Sequence, residues 1–262
     1  MSIKSQLKRI YYKKYGKETN DLIHELASSH ENSHFMREYM LSNYPRVRKD
    51  AKIVRKYTNK NSTILDIGAS PPLLTALLKQ TGRDHLTVID PYASKFLNYL
   101  HINNIQYFDN DLLEGDINSI GEYDFVCLCE VIEHLPSDIP EIIQRITLHV
   151  RIGGILFLTT PNLRSISGFL ALLLNGSSLA SKPTEGLVEQ YRKKNELGYY
   201  GHLREYTARE VVDICESVGL QHVKTILQPD YRLHPRSKVA GIFETLIPPL
   251  RLMAKYLFRR VE

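Results

Sequence analysis

Two carboxylates and an imidazole lie close together in the sequence Glu130-Val-Ile-Glu133-His134. On a helical turn the three side chains would share one face and could converge on one atom. A neutral imidazole can accept a proton from a reacting hydroxyl. The same residue types offer donors that bind a divalent cation. The cluster could act in base catalysis, with Glu133 and His134 as catalytic residues, or in a metal centre that adds Glu130; a purely structural role also stays open.

A second group of residues follows a short apolar run, Ser62 to Ile67, which is typical of a buried strand. The run carries Asp66 near its end and opens through Gly68 and Ser70 into a helix that we expect to begin near Pro71. In an open parallel sheet, ligands lie beyond the carboxyl ends of the strands. The start of a helix also presents backbone amides to such a ligand. These residues therefore predict a nucleotide-like cofactor, and with it an enzyme.

The elements that must position these residues alternate along the chain. From residue 62 onwards, five β-type runs are separated mostly by helical patterns, which favours a parallel sheet with right-handed crossovers. We predict an α/β fold, with a doubly wound, mostly parallel, Rossmann-like sheet and helices on both faces. Residues 1–60 are predicted to be an N-terminal helical segment, with Pro45 beginning its second helix.

The regular alternation stops after Pro161. Residues 163–201 hold an apolar run followed by a polar stretch, and we interpret this insertion as a lid or substrate-binding element of the domain spanning residues 61–245. A helix from Thr207 to Val218 and strands near His222–Leu227 and Lys238–Phe243 should follow.

Residues 246–262 mix large apolar residues with arginine and lysine, and are predicted to be a basic amphipathic tail. Such a segment could lie on a membrane surface. We favour docking of this tail on the domain.

Composition limits the classes of protein to which this chain can belong. The chain has 262 residues, 43% of them hydrophobic, enough for one sizeable core. Its three cysteines are too few for a disulfide framework, and no apolar run resembles a signal peptide or a membrane span. We therefore expect a cytoplasmic protein. The net charge of +5 is concentrated near the ends, which suggests peripheral contact with an anionic membrane as a further expectation.

Four motifs together resemble the class I S-adenosylmethionine-dependent methyltransferases: ILDIGAS, LTVID, YFDNDLLEG, and YDFVCLCEVIEHL followed by GGILFLTTPN. Their order along alternating elements makes the set specific, although each motif alone is weak. The resemblance covers about residues 44–227. It is strengthened by HLREYT, a histidine-containing segment ahead of the last long helix.

This resemblance implies S-adenosylmethionine as the cofactor. Asp66 would lie near the amino-acid moiety, and Gly68 would let the backbone approach closely. Asp90 would accept hydrogen bonds from the ribose hydroxyls, although it also suits a helix N-cap ahead of Pro91. An acid in DNDLL would accept from the adenine amino group; we assign Asp111, with Asp109 as its competitor. The implied cofactor-binding set is Asp66, Gly68, Ser70, Asp90, Asp111, Leu112 and Glu130.

The Glu-x-x-Glu-His cluster resembles one that binds a divalent ion in small-RNA 2′-O-methyltransferases and ubiquinone-pathway O-methyltransferases. With His202, from the histidine-containing segment that the relatives share, the implied ligands of Mg²⁺ or Mn²⁺ are Glu130, Glu133, His134 and His202. Without metal, the implied catalytic residues are His134, His202 and Glu133, with either histidine as the general base. One departure from the family concerns the glycine loop, where Pro71 and Pro72 replace amide donors. The loop must therefore be shaped differently.

The methyl acceptor is the least determined property. We expect O-methylation of a small-molecule or glycan hydroxyl, with tyrosines of the insertion (Tyr191, Tyr199, Tyr200) and Arg192 suited to such an acceptor. Two alternatives stay open. One is metal-dependent 2′-O-methylation of RNA, which is disfavoured because no RNA-binding module accompanies the domain. The other is a non-catalytic scaffold that keeps the fold.

Overall fold

The structure of the protein, a computed structural model, describes residues 15–30, 32–111, 120–136, 138–176, 188, 201–229, 244 and 246–262. The strands are β1 (Ile64–Ile67), β2 (Leu86–Ile89), β3 (Gln106–Phe108), β4 (Tyr123–Cys129), β5 (Val150–Pro161), β6 (Leu220–Gln228) and β7 (Met253–Arg260). The α-helices are α1 (Lys17–Ser28), α2 (Ser33–Tyr57), α3 (Leu73–Lys79), α4 (Leu97–Ile102), α5 (Ile139–Thr147), α6 (Ile166–Asn175) and α7 (Ala208–Ser217).

The strands form a seven-stranded sheet in the order β3-β2-β1-β4-β5-β7-β6. The pairs β1/β4, β4/β5 and β2/β3 are parallel, whereas β7 runs antiparallel to both β5 and β6. The predicted fold class, a mostly parallel Rossmann-like sheet with helices, is confirmed. All five β-type runs predicted between residues 62 and 161 are strands.

The chain divides into two compact units. The first comprises residues 1–62 and 69–111 and holds α1 to α4, β2 and β3. Its two long N-terminal helices bury Leu22, Ile23 and Val54 among other apolar residues. The guanidinium of Arg83 donates to two backbone carbonyls at the end of α2, those of Arg55 and Thr58, at 3.2 and 3.1 Å. It thereby satisfies acceptors that a helix end leaves without an intrahelical donor.

The sequence predicted that Pro45 begins the second helix, and this prediction is wrong. Pro45 lies inside α2, which starts at Ser33 because the side chain of Asn32 accepts a hydrogen bond from the amide of Phe35 at 3.1 Å. An asparagine cap of this kind is among the strongest helix-start signals, and it outweighs the preference of proline for the first turn.

The second unit comprises residues 63–68 and 112–262 and holds the other five strands. The parallel start of β1 and β4 is fixed by Asp124, whose carboxylate accepts from the backbone amide of Thr63 at 2.8 Å and from its hydroxyl at 3.1 Å. Phe125 and Phe157 are fully buried on β4 and β5, and their ring centroids are 6.1 Å apart. The parallel strands are therefore core strands, as their continuous apolar sequence predicted.

The C-terminal segment differs from the predicted basic tail. Residues 253–260 form β7, an interior strand with β5 on one side and β6 on the other, and Leu252 to Phe258 are buried. The guanidinium of Arg260 donates to the carbonyl of Val150 at 2.8 Å, which ties the end of β7 to the start of β5. The basic residues that suggested an amphipathic tail are thus distributed along a sheet strand.

Several predicted features lie outside the described residues: Leu112, the strand at 238–243, and most of the 163–201 insertion with its tyrosines and Arg192. The described part of the insertion is mainly α6. Within the described ranges, no helix has the length and hydropathy needed to cross a bilayer. The three cysteines carry free thiols, with Cys127 and Cys215 buried as predicted.

Candidate active site

The turn after β1 brings the backbone of Gly68 against Val131. Gly68 has a φ of +69°, in the left-handed region that favours glycine, and a Cβ atom at this position would lie 2.4 Å from Cγ2 of Val131. Asp66, two residues earlier, is buried and lies opposite Cys127 in the β1/β4 ladder. Only glycine fits at position 68. Its predicted role, close approach of the backbone to the cofactor, stays a prediction.

In the first unit, Asp90 and Ser70 form a local polar cluster. The Asp90 carboxylate accepts from the Ser70 amide at 3.0 Å and from its hydroxyl at 2.7 Å, and from the Tyr92 amide at 2.7 Å. Burial raises the pKa of Asp90, while the hydrogen bonds from Ser70 and Tyr92 oppose that rise. The cluster explains how a carboxylate can stay buried at the end of β2.

The hydrogen bonds of Asp90 also limit what it could bind. A carboxylate accepts about four hydrogen bonds, and the three donors from Ser70 and Tyr92 use most of that capacity. The bond from the Tyr92 amide closes a local turn, but the 3₁₀ helix that follows, Ala93–Phe96, has Tyr92 at its N-cap position, so Asp90 is not the helix N-cap that the alternative interpretation predicted. Binding of both ribose hydroxyls would therefore require the Ser70 hydroxyl to turn away, whereas one ribose hydroxyl fits the arrangement as it stands.

The two candidate acids for adenine differ in their surroundings. Asp109 accepts from the backbone amide of Ser94 at 2.7 Å and so caps the 3₁₀ turn Ala93–Phe96. Asp109 and Asp111 are both exposed. Asp111 stays the predicted partner of the adenine amino group, with Asp109 as its competitor.

The four residues predicted as metal ligands do not share one helical face. Glu130 has a φ of +58°, and the following residues form only a short 3₁₀ turn, Ile132–His134. Glu130 accepts from the hydroxyl of Thr159 at 3.0 Å, whereas Glu133 accepts from that of Thr160 at 2.9 Å.

Successive residues of a strand point to opposite faces of the sheet, so these two threonines draw the two carboxylates apart. The predicted set of four metal ligands is therefore reduced to Glu133, His134 and His202, the three residues whose potential ligand atoms lie close together.

Glu133, His134 and His202 do come together. One potential ligand atom from each lies within 4.8 Å of the others. The imidazole rings of His134 and His202 meet edge to face, with centroids 4.7 Å apart and an interplanar angle of 85°. The backbone holds the same contact, because the amide of Leu203 donates to the carbonyl of Glu133 at 2.8 Å. Two segments 68 positions apart in the numbering, His134 and His202, thus form one cluster, as the sequence predicted.

Glu205 is a member of the cluster that sequence reasoning missed. Its carboxylate lies 2.9 Å from Nδ1 of His202, and its side chain is fully buried. When Nδ1 carries the hydrogen of this bond, the other ring nitrogen, Nε2, is left as the basic one. The signal available in the sequence was the His-x-x-Glu spacing of His202 and Glu205.

The segment carrying His202 is anchored to the end of β5. Tyr206 pairs with Asn162 in an isolated parallel bridge, and the carbonyl of Tyr206 accepts from the amide of Leu163 at 3.0 Å. Burial raises the pKa of Tyr206; the guanidinium of Arg204 opposes the rise, while the charge of Glu133 adds to it. Tyr206 is therefore a neutral phenol that fixes the position of the segment.

A capping box begins α7 directly after this segment. The hydroxyl of Thr207 accepts from the amide of Glu210, and the Glu210 carboxylate accepts from the amide of Thr207 at 2.8 Å. Burial acts to raise the pKa of Glu210, but hydrogen bonds from Thr207 and Arg204 outweigh it and the pKa is lowered.

Replacing Thr207 with alanine should lower the free energy of unfolding by about 1 kcal/mol near neutral pH. Because the lowered pKa of Glu210 contributes stability only above its unfolded value, the difference from wild type should shrink as the pH falls through the folded pKa. Urea unfolding at neutral and acid pH measures both effects. Ser217→Ala, at the other end of α7, is the control; an equal loss in both variants would contradict the capping role.

Lys255 was also misplaced by the sequence interpretation, which put it on the charged side of a tail. It is fully buried and lies directly opposite Thr159 in the β5/β7 ladder. Residues directly opposite one another in an antiparallel pair project from the same face. Lys255 therefore belongs to the side of the sheet that holds Glu130.

Comparison with known proteins agrees with this arrangement. A family profile described as a methyltransferase domain matches residues 33–225. A search of curated proteins finds no significant match. Similarity to solved structures is widespread at low sequence identity.

Three solved structures illustrate the likeness. One is 1,6-didemethyltoxoflavin-N1-methyltransferase from Burkholderia thailandensis, with 1,6-didemethyltoxoflavin and S-adenosylhomocysteine bound (14% identity, 82% of this chain and 78% of that chain covered, TM-score 0.54). Another is an S-adenosylmethionine dependent methyltransferase from Mesorhizobium loti (13%, 84% and 98%, TM-score 0.51). The third is coclaurine N-methyltransferase bound to N-methylheliamine and S-adenosylhomocysteine (12%, 81% and 70%, TM-score 0.55). At these identities the likeness concerns the fold.

Proposed function

The chain belongs to the methyltransferase domain family and has the class I fold of S-adenosylmethionine-dependent methyltransferases, and on this premise we propose that it methylates a hydroxyl oxygen of a small-molecule or carbohydrate acceptor. The observation that carries the proposal is the pairing of His202 with the buried carboxylate of Glu205, next to Glu133 and His134. When bound, S-adenosylmethionine supplies a methyl group on a positively charged sulfur. The acceptor oxygen must then lose its proton.

The histidine pair suits a hydroxyl acceptor better than an amine. A hydroxyl is a weak nucleophile near neutral pH unless a base takes its proton, whereas a neutral amine attacks through its own lone pair. With Nδ1 held by Glu205, the Nε2 atom of His202 would accept that proton. The Glu205 carboxylate would then stabilise the imidazolium that forms. Two of the similar folds are N-methyltransferases, so the choice of oxygen rests on this argument alone.

The residues predicted to hold the cofactor fit it individually. Gly68 has no side chain between its backbone and a ligand, and would let the cofactor approach that backbone closely. The buried carboxylate of Asp90 has capacity for one more donor, such as a ribose hydroxyl. Asp66 is a buried acid at the end of β1 and would face the cofactor's ammonium group. These roles are proposed residue by residue, and each can be tested separately.

A metal-assisted form of the same reaction is the second candidate. The ligand atoms of Glu133, His134 and His202 are close enough to bind one cation. Two imidazoles and one carboxylate suit a transition ion, such as Mn²⁺, better than Mg²⁺, which prefers oxygen ligands. Such an ion would lower the pKa of a hydroxyl bound to it. In that case Glu205 would orient His202 as an outer-shell carboxylate.

Cofactor binding is tested by thermal melting with S-adenosylhomocysteine. At about one hundred times the dissociation constant, the ligand should add roughly 2.7 kcal/mol, or about 5–10 °C in melting temperature. Asp90→Asn should lose most of this shift, whereas Asp84→Asn, an exposed acid of the first unit paired with Lys79, should keep it. A wild-type protein with no shift would favour a non-catalytic scaffold. An unchanged shift in Asp90→Asn would contradict the ribose assignment only.

A further inference from the structure

Helix α6 exposes an unusually apolar surface. Its sequence, ISGFLALLLN, holds no charged residue. Leu173 and Leu174 are 64% and 76% exposed, and Phe169 is 54% exposed. At 3.6 residues per turn, the exposed apolar side chains span more than half of the helix circumference. They are Phe169, Leu170, Leu172, Leu173 and Leu174. A helix this apolar is normally buried, so its exposure marks an interaction surface.

A second apolar segment is tied to the start of this helix. The side-chain amide of Asn162, just before α6, donates to the carbonyls of Pro249 and Arg251 at 3.1 and 2.9 Å. Leu246 and Ile247, which precede them, are also exposed. We call residues 166–174 and 246–250 together the apolar surface. Two distant parts of the sequence thus contribute to it, both in the second unit.

The two stretches of sequence that contain the apolar surface carry only positively charged residues. Within residues 162–176 and 246–252 the only charged residues are Arg164 and Arg251. Arg164 is exposed. Arg251 donates to the carbonyls of Glu244 and Leu227 and so is held in place. The absence of acidic residues here and the net charge of +5 for the chain match an anionic partner.

A lipid bilayer fits these features better than a protein partner. Protein interfaces surround their apolar centre with polar groups and form about one hydrogen bond per 100–200 Å². The exposed side chains of α6 are aliphatic or phenyl groups that form no hydrogen bonds. A bilayer interface requires none, since the apolar face enters the boundary between headgroups and acyl chains and nearby basic residues attract anionic lipid.

We propose that the apolar surface docks the protein on anionic membranes, with α6 lying in the plane of the interface. The docking does not depend on the proposed methyl transfer. The candidate active site is attached to the same place, because Asn162 also pairs with Tyr206 of the His202 segment. If the proposed function holds, the acceptor is an amphiphile whose hydroxyl is reached at the bilayer surface, such as a lipid-linked sugar.

The test is co-sedimentation of the full chain with vesicles made of equal parts phosphatidylcholine and phosphatidylglycerol. The wild-type protein should sediment with these vesicles and much less with pure phosphatidylcholine. Leu173→Glu with Leu174→Glu should lower the partition coefficient by about tenfold or more, because two leucines lose their burial in the bilayer. Ile102→Glu is the matched control: this residue of α4 is 75% exposed, lies outside the apolar surface, and should bind as wild type does.

Three results would overturn the proposal. The first is failure of the wild-type protein to sediment with anionic vesicles. The second is sedimentation of the double variant as strongly as wild type, which would assign binding to another basic region. The third is light scattering that gives a dimer for wild type and a monomer for the double variant, so that a second copy covers the surface. Melting with S-adenosylhomocysteine on the same samples shows whether each variant is folded and keeps the cofactor site, independently of lipid.

Discussion

Replacing His202 with alanine is expected to lower turnover by about 10²–10⁴-fold while leaving the melting shift with S-adenosylhomocysteine unchanged. The loss follows from the geometry: His202 is the imidazole whose Nδ1 lies 2.9 Å from the buried Glu205 carboxylate, so the substitution removes the proposed base that Glu205 orients. The rate is measured as S-adenosylhomocysteine release, with the best acceptor from a panel of phenols and sugars.

Glu205→Gln should give a smaller effect, about 10–100-fold, since it keeps a hydrogen-bonding group of the same size but removes the charge that stabilises the imidazolium. His222→Ala is the control, because His222 is bonded to Thr225 on β6 in the same unit and has no proposed role in the reaction. Equal rates for His202→Ala and wild type, with the fold intact, would refute the proposed catalytic role of His202.

The same variants separate the two mechanisms. If His202 acts as a base without metal, chelator treatment leaves the wild-type rate unchanged. If a cation is held by Glu133, His134 and His202, the chelator abolishes turnover and Mn²⁺ restores it. Glu133→Gln would then weaken Mn²⁺ binding in calorimetry, a readout that does not depend on the acceptor.

Gly68→Ala is the second change with a large expected effect. The new Cβ atom would lie 2.4 Å from Cγ2 of Val131 at a φ of +69°, so both the side chain and the backbone must move. Left-handed backbone costs an alanine roughly 1–2 kcal/mol, and overpacking adds about 1–3 kcal/mol. We expect a loss of about 2–5 kcal/mol in the free energy of unfolding, measured in urea, together with loss of the melting shift.

Two further variants divide that cost into its parts. Gly82→Ala has nearly the same φ, +75°, but its Cβ would make only ordinary contact with the Lys60 side chain at 3.6 Å, so it should show the backbone cost alone. Val131→Ala in the Gly68→Ala background should recover the steric part. If Gly68→Ala proved no worse than Gly82→Ala, close approach at Gly68 would not matter.

The fold was predictable because many separate segments along the sequence indicate it. Four of the five β-type runs are mainly apolar, and the helical patterns between the runs leave few alternatives to a parallel sheet. The strand at residues 253–260, which the sequence predicted as part of a basic tail, was not predictable in the same way. Lys255 reads as a surface charge when considered locally, and only its pairing opposite Thr159 shows that it is buried inside the sheet.

The sequence identified most residues of the candidate site, but it did not predict that Glu130 is separated from Glu133 and His134. Spacing alone placed Glu130, Glu133 and His134 on one helical turn. The left-handed conformation of Glu130 breaks that turn, and this is a long-range effect of pairing between β4 and β5, since the Glu130 amide donates to the Thr159 carbonyl at 2.8 Å. Glu205 could have been found from its spacing to His202. Its burial, which gives the pair its significance, depends on tertiary packing.

Two neighbouring threonines of β5, Thr159 and Thr160, each bind one of the two carboxylates, and they do so on opposite faces of the sheet. Thr159 donates to Glu130 and Thr160 donates to Glu133, so the two acids that look equivalent in the sequence are bonded to hydroxyls on opposite faces of one strand. A slip of β5 by one residue would place Leu158 or Pro161 beside one of the two carboxylates and leave that carboxylate without a hydroxyl donor. The two hydrogen bonds therefore favour a single register of β5, and each threonine can be replaced without removing the donor of the other acid.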